Sequence, residues 1–111
     1  MSYHFSRQLN LSMTDAEQRV VTRLAEEGFG VLTEIDVQAT LKKKLGVEFT
    51  PYKILGACNP HFAYQALQVE PHIGTMLPCN VILRATTEGC VEVSAVDPLT
   101  SMQAIDNPDL E

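Results

Sequence analysis

The chain has 111 residues, of which 45% are hydrophobic and 20% charged, and its formal net charge is −6 at pH 7. These values predict one globular domain over 1–111. The polar end of the chain predicts a core at about 3–104 and a frayed tail at 105–111. The negative charge argues against a nucleic-acid partner, and no apolar run approaches the roughly 20 residues that span a bilayer.

Five segments alternate or run apolar in the manner of β-strands. They are, in chain order, 3–9, 29–35, 52–58, 79–85 and 90–96. The third strand contains Ile54, Leu55 and Ala57, so it carries apolar side chains on both faces. This pattern is typical of an interior or doubly covered strand. The tight connection at 86–89 predicts an antiparallel hairpin between the last two strands.

Helices are predicted between the strands from their end signals. Thr14 and Glu17 have the form of a capping box, and Gly28 ends the amphipathic helix that they begin. Asp36 caps a second helix, which Gly46 ends.

The third helix has the clearest start, because Asn59 is suited to the N-cap and Pro60 to the first helical position. Pro71 closes it, a loop containing Pro78 leads to the fourth strand, and a short helix is expected at 99–104. The order β-α-β-α-β-α-β-β with a final hairpin favours an α+β fold with a mostly antiparallel five-stranded sheet.

Two Cys-Asn pairs are the main candidates for a functional site. Cys58 directly precedes the N-cap Asn59, and the positive end of a helix favours a thiolate there. The alternative is a small buried residue on an interior strand. Cys79, which precedes Asn80, shares strand parity with core positions, so it is expected either to be buried or to form a redox pair with Cys58.

The remaining candidates have weaker signals. Glu34 and Asp36 share a strand face and could pair for general acid–base work, but Asp36 is already explained as a helix cap. Glu34 alone is therefore kept as a candidate polar wall of a pocket. A zinc site would have acceptable donors but lacks the spacing of a zinc finger, so no metal is predicted and no cofactor is identified. Its donors would be Cys58, Cys79, His61 and His72.

Four blocks of sequence in a fixed order carry a family resemblance. They are 28–36, 54–60, 77–81 and 97–98. They resemble the bacterial and archaeal family called "domain of unknown function 302". The resemblance implies a TBP-like α+β fold (a curved antiparallel sheet that carries helices), usually in a cytoplasmic homodimer, and no established activity. It also implies that the motif centres on the two Cys-Asn pairs, and a TBP-like sheet does not by itself confer DNA binding.

The sequence therefore predicts a homodimeric binding or sensing module with a small-molecule pocket at Cys58 and Cys79, where Asn59, Asn80 and Glu34 contact the ligand. A dimer is also expected because strands that are apolar on both faces leave surface to cover. Three cysteines and no secretory signal at 1–10 predict a cytoplasmic location without disulfides. The alternatives are a thiol enzyme or sulfur carrier that uses Cys58 with Cys79 resolving, and a structural protein with inert thiols.

Overall fold

A computed structural model of the chain describes residues 3–87 and 89–97. The strands are β1 (His4–Leu9), β2 (Gly30–Asp36), β3 (Tyr52–Cys58), β4 (Cys79–Thr87) and β5 (Cys90–Val96). The helices are α1 (Met13–Glu26), α2 (Val37–Leu45) and α3 (Pro60–Val69), and a 3₁₀ helix (Pro71–Met76) follows α3. The predicted helix at 99–104 and the predicted tail at 105–111 lie outside the described residues.

The five strands form one antiparallel sheet in the order β1-β5-β4-β3-β2. The predicted α+β class, the order of elements and the β4–β5 hairpin are therefore confirmed. Strand β3 lies between β4 and β2, so its predicted interior position is also confirmed. Strand β1 pairs with β5, the strand farthest from it in the chain, and forms one edge of the sheet.

The sheet has two faces of different character, because successive side chains of a strand point to opposite sides. Leu55, Leu83 and Val91 point toward α1 and are buried against Ala16, with 0–2% of each residue exposed. Burying one such leucine stabilises the fold by about 1.5–3 kcal/mol. We call this side the helical face, and the side turned away from α1 the far face.

The start of α1 differs from the prediction. The N-cap is Ser12, whose Oγ accepts a hydrogen bond from the Asp15 N–H at 3.1 Å. The predicted capping box of Thr14 and Glu17 is wrong because Ser12 and Asp15 have the same spacing two residues earlier. The Glu17 carboxylate instead accepts a hydrogen bond from Lys53 Nζ at 2.7 Å.

The ends of α2 follow the prediction, whereas the segment after α3 does not. Asp36 Oδ1 accepts the Ala39 N–H at 2.9 Å, and Gly46 ends α2 with a φ of 68°. The loop predicted after α3 contains a 3₁₀ helix at Pro71–Met76. Glu70 caps that helix through its side chain, which explains why the chain keeps turning beyond the proline.

Gly56 on β3 lies where Thr33 of β2 and Pro78, the residue before β4, leave no room for a side chain. A Cβ atom there would lie 2.6 Å from Pro78 Cγ and would also clash with Thr33 Oγ1. We expect Gly56→Ala to lower the free energy of unfolding by about 1–3 kcal/mol through overpacking, as measured by urea denaturation. The matched control is Gly30→Ala on β2, where a Cβ would meet nothing within 4 Å. Equal stability of the two variants would contradict this account.

Candidate functional site

The two Cys-Asn pairs lie side by side on β3 and β4, but their thiols are on opposite faces. The register pairs Cys79 with Ala57 and Asn80 with Gly56. Because side chains alternate, Cys79 lies on the helical face with Ala57, whereas Cys58 shares the far face with Asn80. The structure therefore brings Cys58 and Asn80 to one surface, and the sheet separates Cys79 from it.

Asn59 begins α3 as the sequence predicted. Its Oδ1 accepts hydrogen bonds from the N–H groups of His61 at 3.1 Å and Phe62 at 3.3 Å, and Pro60 occupies the first turn. Two of the backbone donors that would stabilise a Cys58 thiolate are thus satisfied by Asn59. The geometry supports Asn59 as a helix cap more directly than as a ligand contact.

The environment of Cys79 favours a neutral thiol. Burial raises the pKa of the Cys79 thiol, and the neighbouring Cys58 thiol raises it further. A raised pKa lowers the thiolate fraction near neutral pH, and the thiolate is the reactive form. Cys90 is half-buried, and its Sγ lies 3.0 Å from Asn10 Oδ1.

Glu34 belongs to an ion-pair cluster on the helical face. It pairs with Leu55 across β2 and β3, and its Oε1 lies 2.6 Å from Lys53 Nζ. Lys53 also binds Glu17 of α1, and the two carboxylates raise the pKa of Lys53. Glu34 therefore helps to join α1 to the sheet, and the sheet separates it from Cys58.

Two further findings apply to residues 3–87 and 89–97. No group of three or more His, Cys, Asp or Glu side chains in these ranges is arranged to hold a metal ion. None of the helices in the same ranges has the length and apolar character needed to cross a membrane.

The far face carries a groove of about 550 Å³ that crosses β1, β5 and β4. We call it the far-face groove. Asn80, one of the predicted ligand residues, lies in it. Its lining consists of Tyr3, His4, Tyr52, Asn80, Ile82, Arg84, Glu92, Ser94 and Val96.

A continuous chain of hydrogen bonds crosses this groove from His4 to Arg84. His4 Nδ1 lies 2.7 Å from Ser6 Oγ, which lies 2.7 Å from Ser94 Oγ. Glu92 Oε1 accepts hydrogen bonds from Ser94 Oγ at 3.4 Å and from Arg84 Nε at 2.8 Å. The register produces this chain, because Ser6 pairs with Ser94 across β1 and β5, and Arg84 pairs with Glu92 across β4 and β5.

The network places an ion pair, Arg84 and Glu92, in the lining of the groove. The hydrogen bond from Arg84 lowers the pKa of Glu92, with smaller contributions from the charge of Arg84 and from Ser94 and His4. Glu92 in turn raises the pKa of Arg84. Among the described residues, only the Nε of the Arg84 guanidinium has a partner. Its Nη1 and Nη2 groups are therefore available to an anion.

Sequence reasoning did not identify this network. The sequence does carry one signal, the alternation of side chains along a strand. Glu92 and Ser94 are two residues apart and lie on the same face of one strand, and His4 and Ser6 likewise lie on the same face of another strand. Parity shows which side chains point the same way along one strand. It does not show which strands are neighbours or how they are aligned.

The ion pair between Arg84 and Glu92 should change the titration of the Glu92 carboxyl. Its carboxyl should titrate below the ordinary value of 4.5, and Arg84→Gln should raise that pKa because it removes the donor and the charge. A depressed folded-state pKa stabilises the fold above the unfolded-state pKa, and this contribution is lost as the pH falls through the folded-state value. Carboxyl ¹³C NMR measures the titration, with Lys44→Gln as the matched control. An unchanged Glu92 titration in Arg84→Gln would contradict the assignment.

Comparison with known proteins identifies the family to which the chain belongs. The crystal structure of an uncharacterized conserved protein DUF302 from Bacillus stearothermophilus superposes with a TM-score of 0.89 at 29% sequence identity, covering 99% of this chain and 85% of that chain. No curated protein matches the chain significantly. The model of the family "Domain of unknown function DUF302" matches residues 5–111. The resemblance read from the sequence blocks is confirmed, and the chain belongs to the DUF302 family.

Proposed function

We propose that this domain is a cytoplasmic, homodimeric module that binds or senses a small organic anion in the far-face groove. The observation that carries the proposal is the network that holds Arg84 by its Nε and leaves the other guanidinium nitrogens to a ligand. Arginine binds carboxylates in a bidentate, planar geometry. A guanidinium that is already held in place loses less side-chain freedom on binding.

The rest of the groove supplies the other elements of a small-molecule site. Such sites combine apolar walls with a few fixed polar groups. Tyr52, Ile82 and Val96 provide apolar walls, and Asn80 provides an amide. The ligand that fits this set has an anionic group for Arg84 and a compact apolar body.

The predicted site residues take different parts in this proposal. Asn80 keeps its role as a ligand contact, and Cys58 lies on the same face beyond the edge of the groove. Asn59 acts as a helix cap, and Cys79 and Glu34 lie on the helical face. The cytoplasmic location rests on the three free thiols, which persist in reducing compartments.

The two alternatives receive less support. A thiol enzyme or sulfur carrier would need Cys79 to resolve a bond to Cys58, yet Cys79 lies on the other face and its pKa is raised. A structural protein with inert thiols agrees with the environment of Cys79. It does not account for a charged network that spans three strands and ends in unpartnered guanidinium nitrogens.

Binding of benzoate tests the proposed function. Calorimetry should detect benzoate binding to the wild-type protein, and Arg84→Gln should weaken it about tenfold or more, since one charge-assisted hydrogen-bond pair is lost. Benzamide, which has the same ring without the charge, should bind more weakly than benzoate.

Lys44→Gln, which removes the same charge from α2, is the matched control and should leave benzoate binding unchanged. Equal benzoate affinity of the wild type and Arg84→Gln would contradict the proposed site. Binding of neither benzoate nor a panel of other small carboxylates would contradict the function.

The surface of α3 supports the homodimer. Phe62, Tyr64, Leu67 and Val69 are each 41–67% exposed on this helix, which packs chiefly against the 3₁₀ helix that follows it. They lie on two sides of the helix, Phe62 and Val69 on one and Tyr64 and Leu67 on the other, and exposed apolar surface of this kind marks interaction sites. The sequence of α3 contains no Asp, Glu, Lys or Arg, so two chains of net charge −6 can meet there without bringing like charges together. We therefore propose that two copies pack through their α3 helices.

The oligomeric state tests this contact. Sedimentation equilibrium should give twice the mass of one chain for the wild type, and Tyr64→Glu should give a monomer because it places a desolvated charge in the interface. Leu45→Glu is the matched control, since Leu45 of α2 is equally exposed at 69% and lies outside the proposed contact. A wild-type monomer, or a Tyr64→Glu dimer, would contradict the proposal.

A further inference from the structure

A second groove lies on the helical face, between α1 and the strands β1, β5 and β4. Its volume is about 490 Å³, and we call it the arginine groove. It is separate from the far-face groove, because the sheet lies between them. Its lining consists of Arg7, Leu9, Arg19, Val20, Arg23, Leu24, Glu27, Val81, Val93 and Ala95.

The floor and walls of the arginine groove are aliphatic. Val81 and Ala95 are cross-strand partners on β4 and β5, and Val93 lies beside them. Val20 and Leu24 are one helical turn apart on α1 and form the opposite wall. A surface of this composition offers no hydrogen bonds, so it suits an alkyl chain.

The rim of the same groove concentrates positive charge. Three of the four arginines of the chain lie there, although the net charge of the chain is −6. Arg23 pairs with Glu26 at 3.4 Å on the exposed surface. Arg7 of β1 and Arg19 of α1 form no ion pair within residues 3–87 and 89–97, so they approach the groove from two sides as unneutralised cations.

We propose that the arginine groove binds a free aliphatic carboxylate. The alkyl chain lies on the aliphatic floor, and the carboxylate lies at the rim between Arg7 and Arg19. Charge complementarity selects this occupant, since paired guanidinium groups bind a carboxylate and an aliphatic trough buries the chain. A second copy of the chain fits less well, because the α3 helix that we propose as the contact between copies carries no carboxylate for the rim.

Titration calorimetry with octanoate, kept below its micelle concentration, tests the proposal on the full-length protein. The wild type should bind octanoate, and affinity should rise about fourfold for each added methylene from hexanoate to decanoate. Octanol, which has the chain without the charge, should bind at least tenfold more weakly. No binding of octanoate, or no dependence on chain length, would overturn the proposal.

Variants locate the site. The double variant Arg7→Gln/Arg19→Gln should weaken octanoate binding about tenfold or more. Both side chains are exposed, so its melting temperature should stay close to that of the wild type. Lys43→Gln/Lys44→Gln on α2 removes the same charge and should bind as the wild type does.

Three results would overturn the proposal by identifying another occupant or site. Loss of the dimer in the double variant would assign the groove to a second copy. Co-sedimentation with phosphatidylglycerol vesicles without octanoate binding would assign it to a lipid surface. Octanoate binding that is lost in Arg84→Gln but kept in Arg7→Gln/Arg19→Gln would place it in the far-face groove.

Discussion

Every residue of an antiparallel strand points to one face of the sheet or the other, and α1 covers one of those faces. Leu55, Leu83 and Val91 meet the requirement for apolar burial on the helical face, beneath Ala16. The side chains at the intervening positions of the same strands point to the far face, so they need not be apolar. A charged residue such as Arg84 can therefore lie one position from a fully buried leucine. Because the core lies on the helical face, polar and charged side chains can occupy the far face.

The strand order then decides whether polar side chains on the far face can act together. Strand β5 lies between β1 and β4, so Ser94 can meet a polar partner, Ser6, on one side and Glu92 can meet Arg84 on the other. Hydrogen bonds join Ser94 to Ser6 of β1 and Glu92 to Arg84 of β4, and a third bond joins Ser94 to Glu92. Together they hold Arg84 in one orientation. Preorganisation of this kind is what distinguishes a binding site from a solvated polar surface. The proposed anion site depends on this arrangement more than on any single residue.

Local signals in the sequence predicted most of the fold, and long-range pairing explains why they did not predict the far-face site. Asn59 capped α3 as expected, because a cap depends on residues two or three positions away. Parity placed Cys79 on the core side, but it could not show that Cys58 faces the other way. An irregularity between residues 85 and 87 shifts the β4–β5 register, so Arg84 pairs with Glu92, whereas the register at the turn would pair it with residue 93. The β1–β5 pairing joins opposite ends of the chain, which no local pattern specifies.

The central proposal for this domain is that the far-face groove, and Arg84 in particular, receives a small anion. Intermolecular nuclear Overhauser effects between the ring protons of bound benzoate and the protein test this claim most directly. We expect contacts from the benzoate ring to the side chains of Tyr52 and Ile82, which line the far-face groove. Contacts to Val20 or Val93 on the helical face, with none to Tyr52 or Ile82, would contradict it.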